Sequence, residues 1–120
     1  MKEELEIKGV TLSKVTVVRD SIQFTAEDGR EWQMFHSQQC CEKVWIEDIV
    51  GRLEDLCGTP ILMAEIAENR GNPKSPRTES CTWTFYKFAT VKGYVTIRWY
   101  GESNGYYSER VTFRRKRRRG

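Results

Sequence analysis

The sequence predicts an α+β fold, with a mainly antiparallel β-sheet of six to seven strands and one short helical segment at about residues 41–57. Three observations predict it: apolar residues alternate with polar ones along much of the chain, turn-forming residues separate these runs, and one stretch changes to a helical period. Short connections favour antiparallel pairing, so the helix is expected to cover a face or edge of the sheet.

The N-terminal third predicts two hairpins. Residues 14–20, 21–29 and 30–35 carry β-branched and aromatic residues at period two. The dipeptide Asp28-Gly29 favours a type I′ turn, in which both central residues need a positive φ. These three runs are therefore predicted to be consecutive antiparallel strands.

Residues 41–57 change character and predict the helix. Gly51 lowers the helix propensity by ~1 kcal/mol, so two short turns are the alternative to one helix, and Gly58 and Pro60 mark the end. Residues 60–67 then return to a strand pattern. The helical spacings i, i+3, i+4 and i+7 are carried by Trp45, Ile49, Leu53 and Leu56, among others.

The C-terminal part predicts a long loop followed by a three-strand meander. Residues 68–80 contain no strongly hydrophobic side chain and include two prolines, which is typical of a loop. Alternating runs follow at residues 81–90, 94–100 and 106–113, with glycine-containing turns between them.

The charge distribution separates a domain from a tail. The length of 120 residues fits one domain, predicted over residues 1–113, with a basic tail at 114–120. The tail run RRKRRR holds six cations, twice the net charge of +3, so residues 1–113 carry −3. The basic character therefore belongs to the tail.

The composition predicts a cytoplasmic protein without a membrane segment. No apolar run approaches the ~20 residues that a transmembrane helix needs, and the start MKEELEIKG lacks the apolar region of a signal peptide. The four cysteines are therefore expected to be reduced thiols. Cys40 and Cys41 are not expected to pair with each other.

The run FHSQQCCEKVW allows three interpretations. A zinc site would need His36 and Cys40 together with Cys57 and Cys81, which are 24 residues apart and not in motif form. A Cys–His nucleophile lacks a recognisable elbow. The preferred interpretation is a structural corner, in which Cys41 packs as a small hydrophobe and His36 caps the corner between a strand and the helix. No metal, cofactor or catalytic residue is predicted.

The meander predicts a ligand-binding face. Guanidinium groups pair bidentately with phosphate, and a base stacks on an aromatic ring for ~1–3 kcal/mol. The alternative is a solvated sheet face with ordinary cross-strand pairs. The candidate ligand-binding residues are aromatic, basic or amide side chains: Phe85, Tyr86, Lys87, Arg98, Tyr100, Asn104, Tyr106, Arg110 and Arg114.

Two long runs carry a resemblance over roughly residues 36–109. They are HSQQCCEKVWIEDIVGRLEDLCGTPILMAEI and TWTFYKFATVKGYVTIRWYGESNGYYSE, and they resemble a family of small proteins encoded by bacteriophages and prophages. The chain is also similar to the phage sponge proteins that counter Thoeris immunity by sequestering cyclic ADP-ribose signals or cyclic oligonucleotides. One departure is Arg52, where an acidic residue is expected.

The resemblance implies a counter-defence protein of the host bacterial cytoplasm. It would act as a homodimer or higher homo-oligomer and would bind a cyclic nucleotide without catalysis. The alternative is a phage inhibitor of a host defence nuclease that binds nucleic acid or nucleoprotein through the tail, since six cations can neutralise several phosphates. A third hypothesis is a thiol or metal enzyme that uses His36, Cys40 and Cys41.

Overall fold

The computed structural model describes residues 2–71 and 79–116 and arranges them in two antiparallel sheets. Within these ranges the only helical element is a single 3₁₀ turn, Leu53–Leu56. The nine strands are β1 (Lys2–Glu4), β2 (Leu12–Val17), β3 (Ser21–Ala26), β4 (Glu31–Phe35), β5 (Lys43–Val50), β6 (Met63–Asn69), β7 (Ser80–Thr90), β8 (Gly93–Ser103) and β9 (Thr112–Lys116).

The strands form a five-stranded sheet A and a four-stranded sheet B. Sheet A has the order β1-β6-β7-β8-β5, and sheet B has the order β2-β3-β4-β9. The β7–β8 hairpin is the centre of sheet A and pairs without interruption from Ser80 opposite Ser103 to Thr90 opposite Gly93. The predicted mainly antiparallel β-sheet is therefore confirmed, but it is split in two and has more strands than expected.

The hydrophobic core lies between the two sheets. The ring centres of Phe24 in β3 and Phe88 in β7 are 5.7 Å apart, and the Trp99 indole N–H donates to Met34 Sδ at 3.2 Å. Each such side chain contributes ~1.5–3 kcal/mol when fully buried. The core side chains of both sheets include Ile22, Phe24, Trp32, Met34, Tyr86, Phe88, Val95, Ile97 and Trp99.

The predicted helical segment over residues 41–57 is found only as the 3₁₀ turn Leu53–Leu56, because residues 43–50 form strand β5 at the edge of sheet A. A β-bulge between Ile46 and Asp48 shifts the register. Val44 and Ile46, and after the bulge Ile49, pack against the core, so their spacing imitates a helical period. Gly51, with φ +97°, ends the strand beside the Tyr94 carbonyl, where an added Cβ would overlap.

The N-terminal hairpins agree with the prediction, but one turn differs. Strands β2, β3 and β4 pair antiparallel in sequence order. At the second turn only Gly29 has a positive φ, of 92°, so the predicted type I′ conformation is wrong. The Ala26 N–H donates to the Arg30 carbonyl at 2.7 Å and closes a three-residue loop, in which one residue needs the left-handed region.

The predicted third strand of the meander is also wrong. Residues 104–111, here named the crossing segment, leave sheet A and lead to β9, which pairs with β4 in sheet B. The crossing segment passes Gly101, where an added Cβ would lie 3.0 Å from the Glu109 Cβ. Strand β9 ends at Lys116, so three residues of the predicted tail belong to sheet B.

Candidate functional site

The structure distributes the candidate ligand-binding residues over separate places. The outer face of sheet A, which is turned away from sheet B, carries Phe85, Lys87, Arg98 and Tyr100. A groove beside the crossing segment is lined by Tyr86, Tyr106 and Arg110, and Asn104 lies next to it. Arg114 is in sheet B. The single face expected from the sequence therefore does not exist.

The outer face of sheet A carries a cluster of aromatic rings, here named the aromatic face. The Arg98 guanidinium lies 5.7 Å from the centre of the Trp83 ring, a cation–π contact. The ring centre of Tyr100 lies 4.6 Å from that of Trp83 and 5.0 Å from that of Trp45. Tyr100 is fully buried, and its hydroxyl donates to Glu102 at 2.9 Å. The predicted Tyr100 ring is therefore closed to a ligand by the two indoles beside it.

Carboxylates accompany the cations of the aromatic face. Arg98 Nη2 lies 3.7 Å from Asp48 Oδ2, and Lys87 is paired across the strands with Glu65. Arg98 Nε is buried and has no hydrogen-bond partner among the described residues. The face therefore offers one incompletely satisfied guanidinium, but its charges are nearly balanced.

A groove of about 1120 Å³ opens between sheet A and the crossing segment. Ligand pockets in proteins commonly measure ~300–1,000 Å³, so the groove is large enough for a nucleotide. Tyr86 and Ile66 of sheet A and Phe113 of sheet B line it together with the crossing segment from Gly105 onward. The groove is thus the concave counterpart of the flat aromatic face.

The crossing segment is fixed to sheet A by hydrogen bonds. The carboxylate of Glu109 is buried and accepts from the Thr82 hydroxyl at 2.7 Å and from the Ser103 hydroxyl at 2.5 Å. The Tyr86 hydroxyl donates to the Val111 carbonyl at 3.3 Å. Because buried polar groups are satisfied in this way, the wall of the groove is held in one position.

The three tyrosines that line the groove have two different roles. Tyr86 is fully buried, and this burial, together with the charge of Glu68, raises the pKa of its hydroxyl far above the usual range despite Arg110. Tyr106 is 83% exposed, and its ring centre lies 5.2 Å from that of Tyr107. Tyr86 is therefore a neutral structural donor, whereas Tyr106 and Tyr107 offer rings to a ligand.

Asn104 shapes the crossing segment instead of pointing toward a ligand. Its side-chain oxygen accepts from the Tyr106 N–H at 2.9 Å, the pattern of an Asx turn. The Ser103 hydroxyl accepts from the Gly105 N–H at 3.0 Å in the same turn. These bonds set the direction in which the ring of Tyr106 leaves the backbone.

The charges at the rim of the groove are mixed. Among the lining residues that the structure describes, the exposed carboxylates are those of Glu3, Glu68 and Glu79, and the cations are Arg70 and Arg110. Glu109 adds a buried carboxylate. A ligand bound here meets acceptors for hydroxyl and amino groups as well as donors for an anion.

His36 joins the crossing segment to the loop between β4 and β5. Its Nδ1 lies 2.7 Å from the Arg110 carbonyl oxygen, and its Nε2 lies 2.8 Å from Glu42 Oε2. Both neighbouring oxygens are acceptors, so whichever ring nitrogen carries a proton donates to the oxygen beside it. His36 therefore belongs to a structural corner, which connects two strands instead of the predicted strand and helix.

Glu42 is the centre of this corner. Burial of its carboxylate opposes ionisation, but the backbone N–H groups of Cys40 at 2.9 Å and Gln39 at 2.8 Å donate to it, as does His36. These donors outweigh the burial and lower the pKa of Glu42 from 4.5 to about 2. The ionised carboxylate thus holds the loop that begins β5.

Cys40 and Cys41 form a disulfide between neighbouring residues. The prediction that they do not pair is wrong, and so is the prediction that Cys41 packs as a small hydrophobe, because both residues are exposed. The Cys40 N–H turns inward to Glu42, which leaves the side chains on the solvent side. The free thiols are Cys81, which is buried, and Cys57, whose pKa is raised by burial.

The thiols and carboxylates do not assemble a metal site in the part of the chain that the structure describes. Among these residues no group of three or more His, Cys, Asp or Glu side chains could hold a metal ion. The Cys81 thiol instead donates to the Gly71 carbonyl at 3.0 Å.

Arg114 lies on sheet B, away from the other candidates. Its guanidinium is 5.0 Å from the centre of the Phe35 ring, on the outer side of the sheet. Arg114, Arg115 and Lys116 are all exposed. The remaining predicted tail residues, 117–120, lie outside the described residues.

Sequence reasoning missed several residues of these surfaces. Trp83 shares the alternation of Phe85 and Lys87, so extending the period of two by one step would have found it. Arg70 and Glu79 stand in the stretch predicted as loop, and Glu109 in the stretch predicted as strand. Only the path of the crossing segment brings them to the groove, and no local pattern signals that path.

Comparisons with known proteins identify one family. The family model described as a domain of unknown function, DUF7448, matches residues 5–113. No curated protein and no solved structure matches the chain. No helix among residues 2–71 and 79–116 has the length and apolar character needed to cross a membrane.

Proposed function

The chain belongs to the DUF7448 family, and we propose that it is a phage-encoded counter-defence protein that sequesters a cyclic nucleotide immune signal without catalysis. The ligand would be of the cyclic ADP-ribose type or a cyclic oligonucleotide, and the protein would act in the host bacterial cytoplasm as a homo-oligomer without a cofactor. The observation that carries the proposal is the groove, whose volume is about 1120 Å³ and whose lining includes the exposed Tyr106, the half-buried Tyr107 and the exposed Arg70 and Arg110.

The groove offers each type of contact that a nucleotide uses. Tyr106 and Tyr107 present rings on which a base can stack for ~1–3 kcal/mol. Arg70 and Arg110 present guanidinium groups that pair bidentately with phosphate. Carboxylates at the rim accept hydrogen bonds from ribose hydroxyls and base amino groups. A planar, hydroxyl-bearing and phosphorylated ligand therefore finds complementary partners.

The ribose hydroxyl groups of the ligand favour one class over the other. Both classes carry phosphate charge, but a cyclic ADP-ribose type of ligand carries more ribose hydroxyl groups, which can donate hydrogen bonds to the carboxylates of Glu3, Glu68 and Glu79. We therefore place this type first.

Calorimetric titration of the full chain with both ligand classes tests the proposal. We expect micromolar or tighter binding of a cyclic ADP-ribose isomer, and we expect its unchanged mass after heat release, since no reaction occurs. The variants Arg110→Ala and Tyr106→Ala should each weaken binding about tenfold, or ~1.4 kcal/mol.

The exposed Arg52→Ala variant is the control, because Arg52 lies outside the groove and is 77% exposed. It should bind like the original chain. Absence of binding at micromolar concentration contradicts the proposal, and a released ligand of altered mass contradicts the absence of catalysis. Loss of binding in Arg98→Ala would move the site to the aromatic face.

A second candidate function is binding of nucleic acid or nucleoprotein, as an inhibitor of a defence nuclease. It is favoured by the exposed cations Arg114, Arg115 and Lys116 at the end of β9. Gel shifts of the full chain and of a chain lacking residues 117–120, at two salt concentrations, test it. Binding through these cations should weaken with salt in proportion to the number of phosphates that they neutralise.

A further inference from the structure

The disulfide between Cys40 and Cys41 is open to reagents from the solvent. Both residues are exposed, and their side chains lie on the solvent side because the Cys40 N–H turns inward to Glu42. Thiol–disulfide exchange requires a thiolate to reach one of the bonded sulfurs, so access decides where it occurs. The other cysteines are poor partners, since Cys81 is buried and burial raises the pKa of the Cys57 thiol. Thiol chemistry on the folded chain is therefore directed to this pair.

The disulfide also restricts the backbone of its loop. It joins neighbouring residues, so it closes a small covalent ring that contains the planar peptide bond between them. The N–H groups of Gln39 and Cys40 donate to the Glu42 carboxylate at 2.8 and 2.9 Å. The Gln38 side chain donates to the Glu42 carbonyl at 2.6 Å. Breaking the disulfide returns backbone freedom to the loop, and this gain in conformational entropy opposes these hydrogen bonds.

Two contacts connect the loop to the crossing segment. His36 lies between the Glu42 carboxylate, at 2.8 Å, and the Arg110 carbonyl oxygen, at 2.7 Å. Cys41 itself lines a cavity of about 220 Å³ together with Tyr107 of the crossing segment. A change in the loop therefore acts on one wall of the groove.

We propose that Cys40 and Cys41 form a reversible thiol–disulfide exchange site, at which a solvent thiol opens the disulfide and loosens the loop that supports the crossing segment. A thiolate attacks one sulfur and forms a mixed disulfide, and the other cysteine leaves as a thiolate. A second thiol displaces the first, so the pair gains two electrons and two protons and the reagent is oxidised to its own disulfide. The inference goes beyond the proposed function and is tested without any nucleotide.

Alkylation of the folded full-length chain tests the exchange, with glutathione as the thiol and glutathione disulfide as the oxidant. We expect iodoacetamide to label Cys40 and Cys41 after reduction, and to leave them unlabelled before reduction and after reoxidation. Cys81 should stay unlabelled in every state because it is buried. Equal labelling of the pair in all states overturns the proposal, as does a pair that glutathione cannot open or that glutathione disulfide cannot close.

Amide hydrogen exchange of the oxidised and reduced chains, followed by nuclear magnetic resonance, tests the effect on the loop. We expect the N–H groups of Gln39 and Cys40 to exchange about tenfold faster after reduction, because local opening of the loop exposes them. The Arg110 carbonyl carbon should change its chemical shift, since its oxygen lies beside His36. The N–H groups of the β7–β8 hairpin are the internal control and should exchange equally in both states.

Three results of this measurement overturn the proposal. The first is equal exchange of the Gln39 and Cys40 N–H groups in both states, which means that the disulfide does not hold the loop. The second is an unchanged Arg110 carbonyl shift, which means that the loop does not act on the crossing segment. The third is faster exchange throughout the β7–β8 hairpin, which means that reduction unfolds the chain instead of loosening one loop.

Two serine variants separate the disulfide from other effects of the reagent. Cys41→Ser cannot form the bond, so its Gln39 N–H should exchange fast with and without glutathione. Cys57→Ser keeps the pair and should respond like the original chain. A response to glutathione that persists in Cys41→Ser, or one that is lost in Cys57→Ser, overturns the proposal. Far-ultraviolet circular dichroism establishes that both variants are folded, and the measurements on the original chain decide the proposal if one is not.

Discussion

The groove and the aromatic face share strand β7, yet they differ in shape. The aromatic face takes alternate residues such as Phe85 and Arg98, and its cations lie beside carboxylates on a sheet surface. The groove takes Tyr86 from the other side of β7, and the crossing segment supplies a second wall. Similar residue types therefore make a recess only where a connection passes over the sheet.

The largest expected effect on stability comes from Glu109, which holds the crossing segment against sheet A. Glu109→Ala removes the acceptor of the Thr82 and Ser103 hydroxyls in a buried setting. We expect the free energy of unfolding to fall by about 2–3 kcal/mol, since buried donors lose their partner. Urea denaturation measures it, with the exposed Glu68→Ala as the control, expected within about 0.5 kcal/mol of the original chain. Equal stability of the two variants would mean that Glu109 does not hold the crossing segment.

A smaller effect is expected where the crossing segment approaches β8. In Gly101→Ala the added Cβ would lie 3.0 Å from the Glu109 Cβ and 3.1 Å from Val44 Cγ2. Crowding costs about 1–3 kcal/mol, and the lower backbone entropy of the unfolded chain offsets part of it, so we expect a net loss of about 1 kcal/mol. Thermal unfolding measures this loss. A stabilised Gly101→Ala protein would show that the crossing segment can move away from β8. The groove would then lack a fixed second wall, which is what distinguishes it from the aromatic face.

The pH dependence of stability also tests how the crossing segment is held. His36 lies between the Arg110 carbonyl of that segment and the carboxylate of Glu42. The pKa of Glu42 is lowered to about 2 in the folded chain, so its ionised form stabilises the fold above pH 4.5, and this contribution is lost as the pH falls from 4.5 to about 2. We expect Glu42→Gln to be less stable at neutral pH and to depend less on pH in that range. Urea denaturation at several pH values checks this, and parallel curves for both proteins would contradict it.

The smallest effect is expected on the aromatic face. Arg98→Ala removes one half-exposed cation–π contact with Trp83, so we expect a loss of about 0.5–1 kcal/mol in unfolding free energy. Nucleotide binding should stay the same, because Arg98 does not line the groove. Lys87→Ala is the matched control for loss of a cation from this face. Stronger destabilisation by Arg98→Ala than by Gly101→Ala would mean that the aromatic face contributes more to stability than the contact between the crossing segment and β8.

Local patterns of the sequence were sufficient for some elements and not for others. Alternation predicted β2, β3, β4 and the β7–β8 hairpin, because consecutive strands joined by short turns pair with each other. The bulge after Ile46 broke the alternation in β5 and produced an apparent helical spacing. Alternation over residues 106–113 could not reveal that Glu109 is buried against sheet A while Thr112 begins a strand of sheet B.

The candidate site shows the same division. The placement of Arg98 next to an aromatic ring follows from the period of two and was predictable, although the ring is Trp83. The groove was not predictable, because it depends on which sheet receives the last strand. Tyr86 illustrates this, since its hydroxyl is occupied by the Val111 carbonyl only when the crossing segment runs beneath it.

The position of β9 has one more consequence, for the behaviour of the protein at high concentration. Strand β9 is the last strand of sheet B, so one side of its backbone has no neighbouring strand in the described part of the chain. Such edges invite pairing with other molecules and lead to aggregation. Arg114, Arg115 and Lys116 follow one another along this edge. Two such edges repel each other, and the protein is thereby protected against growth into fibrils from this side.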